Sequence, residues 1–481
     1  MKTLVYKDLD GEEFIYNDDT GMIFPYDPKL LYSMEHGGKR NPNEYMDKYY
    51  SNLVSSLQSN IVHTPRNIDS VETYLHVNGF SQLTLKVTEQ CNMRCEYCIY
   101  SEHYPDTKFY SDVYMEWTIA KKAIDDYLSH FYFTWARNKA KKPVIAFYGG
   151  EPLLGFEVIK KTVEYVKTNY KQYNVNYSIT TNGLLLSNKE ISDFLKENEF
   201  WIVVSIDGTK SNHDRYRVTR GGTPTYDCLM EIIKENFSLY KSIYSICCYD
   251  VTSDLSALTK FYEENDRRKG GGFPAVLRAS RINSAFTDFY NNISREQLAA
   301  HRKQMDMLQA KYLEHIVANK TPPIFLSLLF SQVFISLSER LKFFNDSTFY
   351  NCSCGACVPG DKLFVESDGV YKICEKTNMQ GLEIGSTDKG FCFVSAKHAI
   401  CAYNKCILEK CKDCSCSRLC SLCYASIKTA PTLELDGSDF CERTIHWLTE
   451  CLAAYTSVAK IKRNPNFSNG IAGMTDTLQI P

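Results

Sequence analysis

The cysteines constrain this chain more than any other feature, because most of its twenty are concentrated in two places. None occurs in the first 90 residues, three lie together at Cys91, Cys95 and Cys98, and fourteen fall between Cys352 and Cys451. Disulfide scaffolds are typical of small secreted domains, but the N-terminus has no apolar signal segment, which predicts a cytoplasmic protein. Clustered cysteines in such a chain more often bind metal or take part in chemistry. We therefore expect two metal-binding regions.

Composition argues against two classes of partner. With 55 basic and 57 acidic side chains among 481 residues, the net charge is −2, which offers no basic excess for binding nucleic acid. The best apolar run, Ile324–Leu337, has 14 residues and contains serines and a glutamine. A membrane-spanning helix needs about 20 apolar residues, so this run predicts a buried helix and no membrane partner.

Strand-like and helix-like segments alternate from Gln82 onward. The strand-like runs are 83–87, 144–148, 177–182, 201–207 and 244–251, with helical patterns between them at 156–170 and 189–198. Such alternation is typical of an α/β fold with a parallel sheet or barrel built from βα units.

The chain divides into five predicted parts. Residues 1–78, with β-type runs at 3–7, 13–17 and 22–25 and a helical stretch at 43–58, predict a small α+β module. The others are a barrel at 79–293, a helical bridge at 294–350, a cysteine-rich domain at 351–445, and a C-terminal helix with a loose tail at 446–481. The cysteine-rich part is rich in turns and shows few long periodic patterns.

Three thiols lie on one short loop directly after the first strand of the alternating region, in the spacing C-x3-C-x2-C. A closed zinc site needs four ligands and usually presents them in pairs. Three thiolates suit three corners of a four-iron cluster and leave one iron open to a small molecule. Three core cysteines, or a zinc site completed by a distant residue, remain the alternatives.

This loop, with the aromatic Tyr97 before its last cysteine, resembles that of the radical S-adenosylmethionine (SAM) enzymes. In that family a partial (β/α)6 barrel carries three cysteines that hold a [4Fe–4S] cluster, and the fourth iron binds SAM. An electron from the cluster cleaves SAM to a 5′-deoxyadenosyl radical, which abstracts a hydrogen atom from the substrate. The resemblance implies that Cys91, Cys95 and Cys98 are cluster ligands and that Tyr97 flanks the adenine.

Other motifs at strand ends are similar to those of the same family. Gly149-Gly150-Glu151-Pro ends the second strand, where the family has a loop that binds the SAM amino group. Functional groups gather at the C-terminal ends of barrel strands, so the resemblance extends to three further SAM-binding candidates. They are Asn182, Ser205 and Arg217.

The cysteine-rich part resembles a SPASM domain, which in its family binds two auxiliary [4Fe–4S] clusters. The resemblance implies a first auxiliary cluster on Cys357, Cys374 and Cys423, with Cys354 or Cys352 as the fourth ligand. It implies a second on the cysteines at positions 411, 414, 420 and 441. The last gap of the central motif has two residues here instead of the usual three, which puts the fourth ligand of the first cluster in doubt. A pair of structural zinc sites is the alternative.

SPASM enzymes mostly modify peptides, which implies a precursor peptide with a leader as partner and an electron donor such as flavodoxin or ferredoxin. The N-terminal module is similar in topology to domains that bind a leader as an added strand. We expect a maturase that forms thioether crosslinks from cysteine. Carbon–carbon crosslinking, epimerisation or formylglycine formation in sulfatases are alternatives, as is a zinc-dependent peptide-binding scaffold without catalysis. Glu375 matches the position of an acid used as a base in some sulfatase-maturing relatives, and it is otherwise a surface residue.

Overall fold

The computed structural model describes residues 1–38, 47–60, 62–63, 68–237, 243–266, 273–340, 342, 344–345, 355–377, 381–428, 433–435 and 440–471. Cys352 and Cys354, one of them the expected fourth ligand of the first auxiliary cluster, lie outside the described residues. Among the described helices, none combines the length and apolar character that crossing a membrane requires.

The N-terminal part is a three-stranded antiparallel sheet with two helices. The strands are β1 (Thr3–Lys7), β2 (Glu13–Asn17) and β3 (Met22–Pro25), and the helices are α1 (Pro28–Glu35) and α2 (Asp47–Ser59). The order β1-β2-β3 leaves β1 and β3 at the two edges of this sheet. Ile15, Leu30, Met34, Val54 and Leu57 form a small core between sheet and helices.

Six parallel strands form the centre of the molecule. They are β5 (Gln82–Thr88), β6 (Val144–Gly149), β7 (Asn176–Thr181), β8 (Trp201–Ser205), β9 (Ile243–Tyr249) and β10 (Ala275–Arg281), and they lie side by side in sequence order. Parallel neighbours require a crossover, and the crossovers carry α4 (Trp117–Arg137), α5 (Phe156–Asn169), α6 (Lys189–Glu197), α7 (Lys210–Asp214), α8 (Tyr226–Phe237) and α9 (Leu255–Glu264). This arrangement confirms the predicted α/β fold of a partial (β/α)6 barrel.

The other described elements cover the barrel and continue its sheet. They are β4 (Val62–His63), α3 (Val71–Asn78), α10 (Arg295–Val317), α11 (Ile324–Ser338), β11 (Phe344–Asn345), β12 (Lys362–Val365), β13 (Val370–Lys372), β14 (Gly385–Ser386), β15 (Gly390–Phe391), α12 (Phe393–Cys411), β16 (Ile427–Lys428), β17 (Glu434–Leu435) and α13 (Phe440–Ile461). Strand β12 pairs in parallel with β5, with Leu363 opposite Leu83. The cysteine-rich region is therefore joined to the barrel by backbone hydrogen bonds.

Two sequence expectations differ from the structure. The cysteine-rich part contains α12, a 19-residue helix whose buried positions Ala396, Ala399, Ile400, Tyr403 and Ile407 follow the helical period. The predicted loose tail packs on the core as far as residue 471, because Phe467 is 2% exposed and its carbonyl accepts a hydrogen bond from the Tyr312 hydroxyl (2.9 Å).

Candidate functional site

The carboxyl ends of β5 to β8 bring the four barrel motifs to one edge of the sheet, as in barrels generally. The cysteine loop 91–98 follows β5, and the other motifs end or follow β6, β7 and β8. A second segment holds the loop in place: the Arg94 amide donates to the Val218 carbonyl (2.9 Å), and the Glu96 amide donates to the Tyr216 carbonyl (3.3 Å). The thiols are thus carried on a short, doubly anchored loop.

The three thiols of this loop sit in a desolvated environment. Burial raises the pKa of Cys91 and of Cys95 to about 12 each, and the Arg217 guanidinium opposes that rise at Cys95. The Met93 amide donates a hydrogen bond to Cys91 Sγ (3.4 Å). Holding such groups as thiolates requires positive charge at the site, which iron supplies. The donor set therefore fits a [4Fe–4S] cluster.

Arg217, Tyr97 and Asp207 form a hydrogen-bonded chain beside the cysteine loop. Arg217 Nη1 donates to the Tyr97 hydroxyl (2.7 Å), and that hydroxyl donates to Asp207 Oδ2 (2.6 Å). Arg217 is 6% exposed, and its Nε is buried without a hydrogen-bond partner in the described structure. A buried guanidinium with a free donor is a binding group for a carboxylate, which fits the carboxylate of SAM.

The two glycines at the end of β6 are required by the neighbouring loop. Gly149 has φ +150°, and a Cβ there would lie 2.2 Å from the Thr88 carbonyl oxygen. A Cβ on Gly150 would lie equally close, at 2.2 Å, to the Gln90 carbonyl oxygen. The Gly150 amide donates to that same Thr88 carbonyl (3.0 Å). These contacts seat the start of the cysteine loop against β6.

Glu151 and Asn182 join adjacent loops. The Glu151 carboxylate is fully buried and accepts from the Thr181 hydroxyl (2.7 Å) and the Asn182 amide (2.8 Å). The Asn182 side chain donates to Asn92 Oδ1 (2.7 Å), and its Nδ2 lies 4.0 Å from Cys91 Sγ. In this arrangement Glu151 positions the end of β7, and Asn182 lies directly beside the first thiol. Ser205 ends β8 at the same edge and is half-buried.

Asp207 is a site residue that the sequence reasoning missed. It is 1% exposed, and besides Tyr97 it accepts a hydrogen bond from the Cys248 amide (2.8 Å). It belongs to the Ser-Ile-Asp-Gly segment that ends β8, so its position at a strand end was the available signal. His213, in contrast, is fully buried, and burial lowers its pKa to about 2. A permanently neutral histidine bonded to the Asp207 amide has a structural role.

A first group of cysteines lies at the base of the β12–β13 hairpin. Burial raises the pKa of Cys374 to about 12, and the charges of Glu375, Cys423 and Cys357 add to the rise. The structure thus brings together Cys357, Cys374 and Cys423, which are distant from one another in the sequence. Glu375 is half-buried next to them.

A second group lies after α12. Burial raises the pKa of Cys420 to about 11, and the charges of Cys414 and Cys441 contribute. The Cys416 amide donates to Cys414 Sγ (3.4 Å), and the Leu422 amide donates to Cys420 Sγ (3.4 Å). Amide hydrogen bonds to the sulfurs are one means by which proteins set the potential of an iron–sulfur cluster, so this donor set also fits a cluster.

Two other facts concern these thiols. Cys411 ends α12 immediately before the second group, and Cys416 is 1% exposed beside Cys414 and Cys420. Within the described ranges, no three Cys, His, Asp or Glu side chains are close enough to hold one metal ion. A single zinc ion draws its sulfurs to about 2.3 Å from itself, whereas each ligand of a four-iron cluster binds a different iron.

A buried charge network joins the barrel to the cysteine-rich region. Glu366, which follows β12, pairs with Lys86 of β5 and with Lys108 (2.6 Å). All three side chains are at least nine-tenths buried. Nearby, burial raises the pKa of Tyr148, with further contributions from Glu375 and Cys98. Tyr148 therefore lies within electrostatic reach of both the first loop and Glu375.

Comparisons with known proteins agree with this geometry. A profile of the Radical SAM superfamily matches residues 85–248. An uncharacterized protein of Methanocaldococcus jannaschii is 40% identical over 188 residues, which are 38% of this chain and 58% of that protein. The cysteine-type anaerobic sulfatase-maturating enzyme of Clostridium novyi is 29% identical over 200 residues, 40% of this chain and 50% of that enzyme. The matches thus span only about half the length of these relatives.

A solved structure extends the similarity of fold beyond the barrel. Native anSMEcpe with bound AdoMet and Kp18Cys peptide has a TM-score of 0.54 and 19% identity to this chain, and the match covers 83% of this chain and 99% of the other. At that identity the likeness shows a shared fold.

Proposed function

We propose that this chain, whose residues 85–248 match the Radical SAM superfamily, is a radical SAM enzyme that modifies a ribosomally made precursor peptide. The domain implies SAM and one [4Fe–4S] cluster, for which we propose Cys91, Cys95 and Cys98 as ligands. When bound, the cluster supplies the electron that cleaves SAM and generates the radical that abstracts hydrogen. For SAM we propose Tyr97, Asn182, Ser205, Arg217 and the Gly149–Glu151 loop.

We further propose two auxiliary [4Fe–4S] clusters, three clusters in all. The first takes Cys357, Cys374 and Cys423, with the fourth ligand in the segment that contains Cys354. The second takes Cys414, Cys420 and Cys441 with Cys411. Amide donation to two of these sulfurs and the grouping of the others support the assignment. Such clusters suit the removal of an electron from a substrate radical. An electron donor such as flavodoxin or ferredoxin, and a reducing cytoplasm, complete the proposal.

The proposal of a peptide substrate rests on the open edge of the N-terminal sheet. Strand β3 has no partner strand on its outer side in the described structure. A pocket of about 270 Å³ lies at this edge, lined by Met22 and Ile23 of β3, by Tyr455 and Ala459 of α13, and by basic side chains such as Arg340. An unpaired strand beside an apolar pocket with a basic rim suits a peptide added as a strand. We therefore propose that an acidic leader segment binds at β3.

We propose thioether formation as the reaction. A substrate C–H and a cysteine S–H would become a C–S bond: bound SAM would supply the acceptor of one hydrogen atom, an auxiliary cluster would supply the acceptor of one electron, and one proton would leave to a base. The half-buried Glu375, beside the Cys374 thiol and near Tyr148, is the proposed proton acceptor.

The test is mass spectrometry of a cysteine-rich precursor encoded beside this protein, incubated with reconstituted enzyme, SAM and reductant. Thioether formation predicts a loss of two daltons and of one titratable thiol per event. Enzyme that cleaves SAM but leaves the precursor unchanged in mass would refute the peptide proposal. Met22→Asp should weaken leader binding, whereas Val5→Asp on the other edge strand, where Val5 is 40% exposed, serves as the matched control.

Formylglycine formation is the second candidate, because the Clostridium novyi relative is a sulfatase-maturating enzyme. A sulfatase peptide that loses its thiol and yields an aldehyde would favour this candidate. A carbon–carbon crosslink would instead lower the mass and leave the thiols titratable.

A further inference from the structure

The turn between β2 and β3 packs against the loop that carries the second group of cysteines. Asp18 in this turn is 1% exposed. Its Oδ2 accepts a hydrogen bond from the Ser417 hydroxyl (2.6 Å), and its Oδ1 accepts from the Arg418 amide (3.2 Å) and the Tyr16 hydroxyl (3.1 Å). One buried carboxylate of the N-terminal module thus holds three donors, two of them on the cysteine loop.

Other contacts join the same two segments. Lys2 Nζ donates to the Cys411 carbonyl (3.3 Å), and Arg418 Nη2 donates to the Asp19 carbonyl (2.6 Å). All these partners lie within the first 19 residues and within residues 411–418. The cysteine loop has only short secondary structure after α12 ends at Cys411, so its conformation depends on contacts of this kind.

A buried carboxylate is costly unless its oxygens are satisfied. Burial raises the pKa of Asp18, and its hydrogen bonds oppose the rise. The adjacent thiols make the position less favourable still, since the charge of Asp18 raises the pKa of Cys414 and of Cys416. An apolar side chain would fill this position without that cost. What the carboxylate adds is a fixed geometry for Ser417 and Arg418, between Cys416 and Cys420.

We propose that Asp18 is a positioning residue for the second auxiliary cluster, and that through it the peptide edge of the N-terminal sheet is coupled to the cluster loop. This inference rests on the proposed function, in which that loop holds a cluster and β3 receives a leader. The same turn leads directly into β3, because Met22 lies four residues after Asp18 and lines the pocket. Any such coupling is reciprocal: what orders the loop also orders the turn.

Four variants of the full chain test the inference. Asp18→Ala removes all three acceptor contacts, and Asp18→Asn keeps an acceptor for the Arg418 amide and offers a donor to Ser417. Ser417→Ala removes the 2.6 Å bond to Asp18 and a long bond from Lys2 Nζ (3.5 Å) but keeps the Asp18 carboxylate, so it tests the contact even if the Asp18 variants misfold. Asp27→Ala is the control, because Asp27 caps α1 in the same module by accepting from the Lys29 amide (2.8 Å) and makes no hydrogen bond to the cysteine loop in the described structure.

Two readouts are measured: iron and sulfide per chain after reconstitution, and amide hydrogen exchange of residues 411–423 without iron. We expect Asp18→Ala to lose about one third of the iron, one cluster in three, and to exchange faster across the loop. Ser417→Ala should show the faster exchange, while Asp18→Asn and Asp27→Ala keep both properties near those of the unmodified protein. In the reverse direction, Cys414→Ala should speed exchange in the turn 18–21.

Full iron and unchanged exchange in Asp18→Ala would overturn the inference, as would equal iron loss in Asp27→Ala or in Asp18→Asn. Failure of the proposed function has a different signature. The unmodified protein would then bind iron for a single cluster only, whatever the variants do.

Discussion

Replacing Tyr97 by phenylalanine should destabilise the barrel more than its small change in volume suggests. The hydroxyl accepts from Arg217 (2.7 Å) and donates to Asp207 (2.6 Å), and both partners are buried, at 6% and 1% exposure. Tyr97→Phe leaves a guanidinium donor and a carboxylate oxygen without their shared partner. Hydrogen bonds to charged groups contribute about 1.5–3 kcal/mol each. Since the ring is half-buried and water can reach part of the site, we expect a loss of about 3 kcal/mol in the free energy of unfolding.

Tyr100→Phe is the matched control. Tyr100 is 3% exposed, and its hydroxyl is buried without a hydrogen-bond partner in the described structure. Removing an unsatisfied hydroxyl costs little and can be stabilising, so this variant should stay within about 1 kcal/mol of the unmodified protein. Three of the four tryptophans, Trp117, Trp135 and Trp201, lie in the barrel. Guanidinium unfolding of the iron-free proteins can therefore be followed by tryptophan fluorescence.

The comparison between the two variants shows whether the hydrogen bonds of the Tyr97 hydroxyl stabilise the barrel. If the free energies of unfolding of Tyr97→Phe and Tyr100→Phe differ by less than 1 kcal/mol, the hydrogen bonds from Arg217 through Tyr97 to Asp207 do not stabilise the fold as their geometry indicates. A loss of stability in Tyr97→Phe alone would support their contribution.

Three further predictions concern pH, the buried charges and the proposed base. Because burial holds the pKa of His213 at about 2 in the folded state, against about 6.5 when unfolded, the unfolded chain binds more protons below pH 6.5. The free energy of unfolding should therefore fall by about 1.4 kcal/mol for each unit by which the pH is lowered below 6.5. In denaturant titrations, His213→Gln should make this pH dependence weaker. An unchanged slope in the variant would contradict the argument from burial. Glu366→Ala leaves Lys108 buried without its counter-charge and leaves Lys86 with Glu89 alone (2.6 Å), and we expect about 3 kcal/mol of destabilisation in the same assay, whereas a loss below 1 kcal/mol would show that water compensates Lys108. Glu375→Gln should stop peptide product while 5′-deoxyadenosine still forms, as followed by chromatography, and normal product would exclude the carboxylate as the base.

The sequence predicted the barrel better than the region around it. Strands β5 to β9 carry apolar, β-branched runs between turn residues, and their positions agree with the pattern to within two residues. Strand β10 reads Ala-Val-Leu-Arg-Ala-Ser-Arg, where two arginines and small residues hide the period. Helix α12 follows the helical period, but the sequence reasoning described its segment as rich in turns, with few long periodic patterns.

The candidate site likewise contains residues that the sequence predicted and residues that it could not predict. The family resemblance identified Tyr97 and Arg217 as candidates, but the chain of hydrogen bonds from Arg217 through Tyr97 to Asp207 could not be predicted, because bonds that span 110 and 120 residues leave no local pattern. The role of Asp18 was equally hidden, since its partner Ser417 lies 399 residues away.

The most direct test of the central claim is the cleavage of SAM. Anaerobically reconstituted protein with SAM and a strong reductant should yield 5′-deoxyadenosine and methionine in equal amounts, measured by chromatography with mass detection. The variant in which Cys91, Cys95 and Cys98 are all alanine should yield neither, while it retains the iron of the auxiliary clusters. Equal 5′-deoxyadenosine from the variant and the unmodified protein, or none from either with the iron fully loaded, would contradict the assignment of this loop as the SAM-cleaving site.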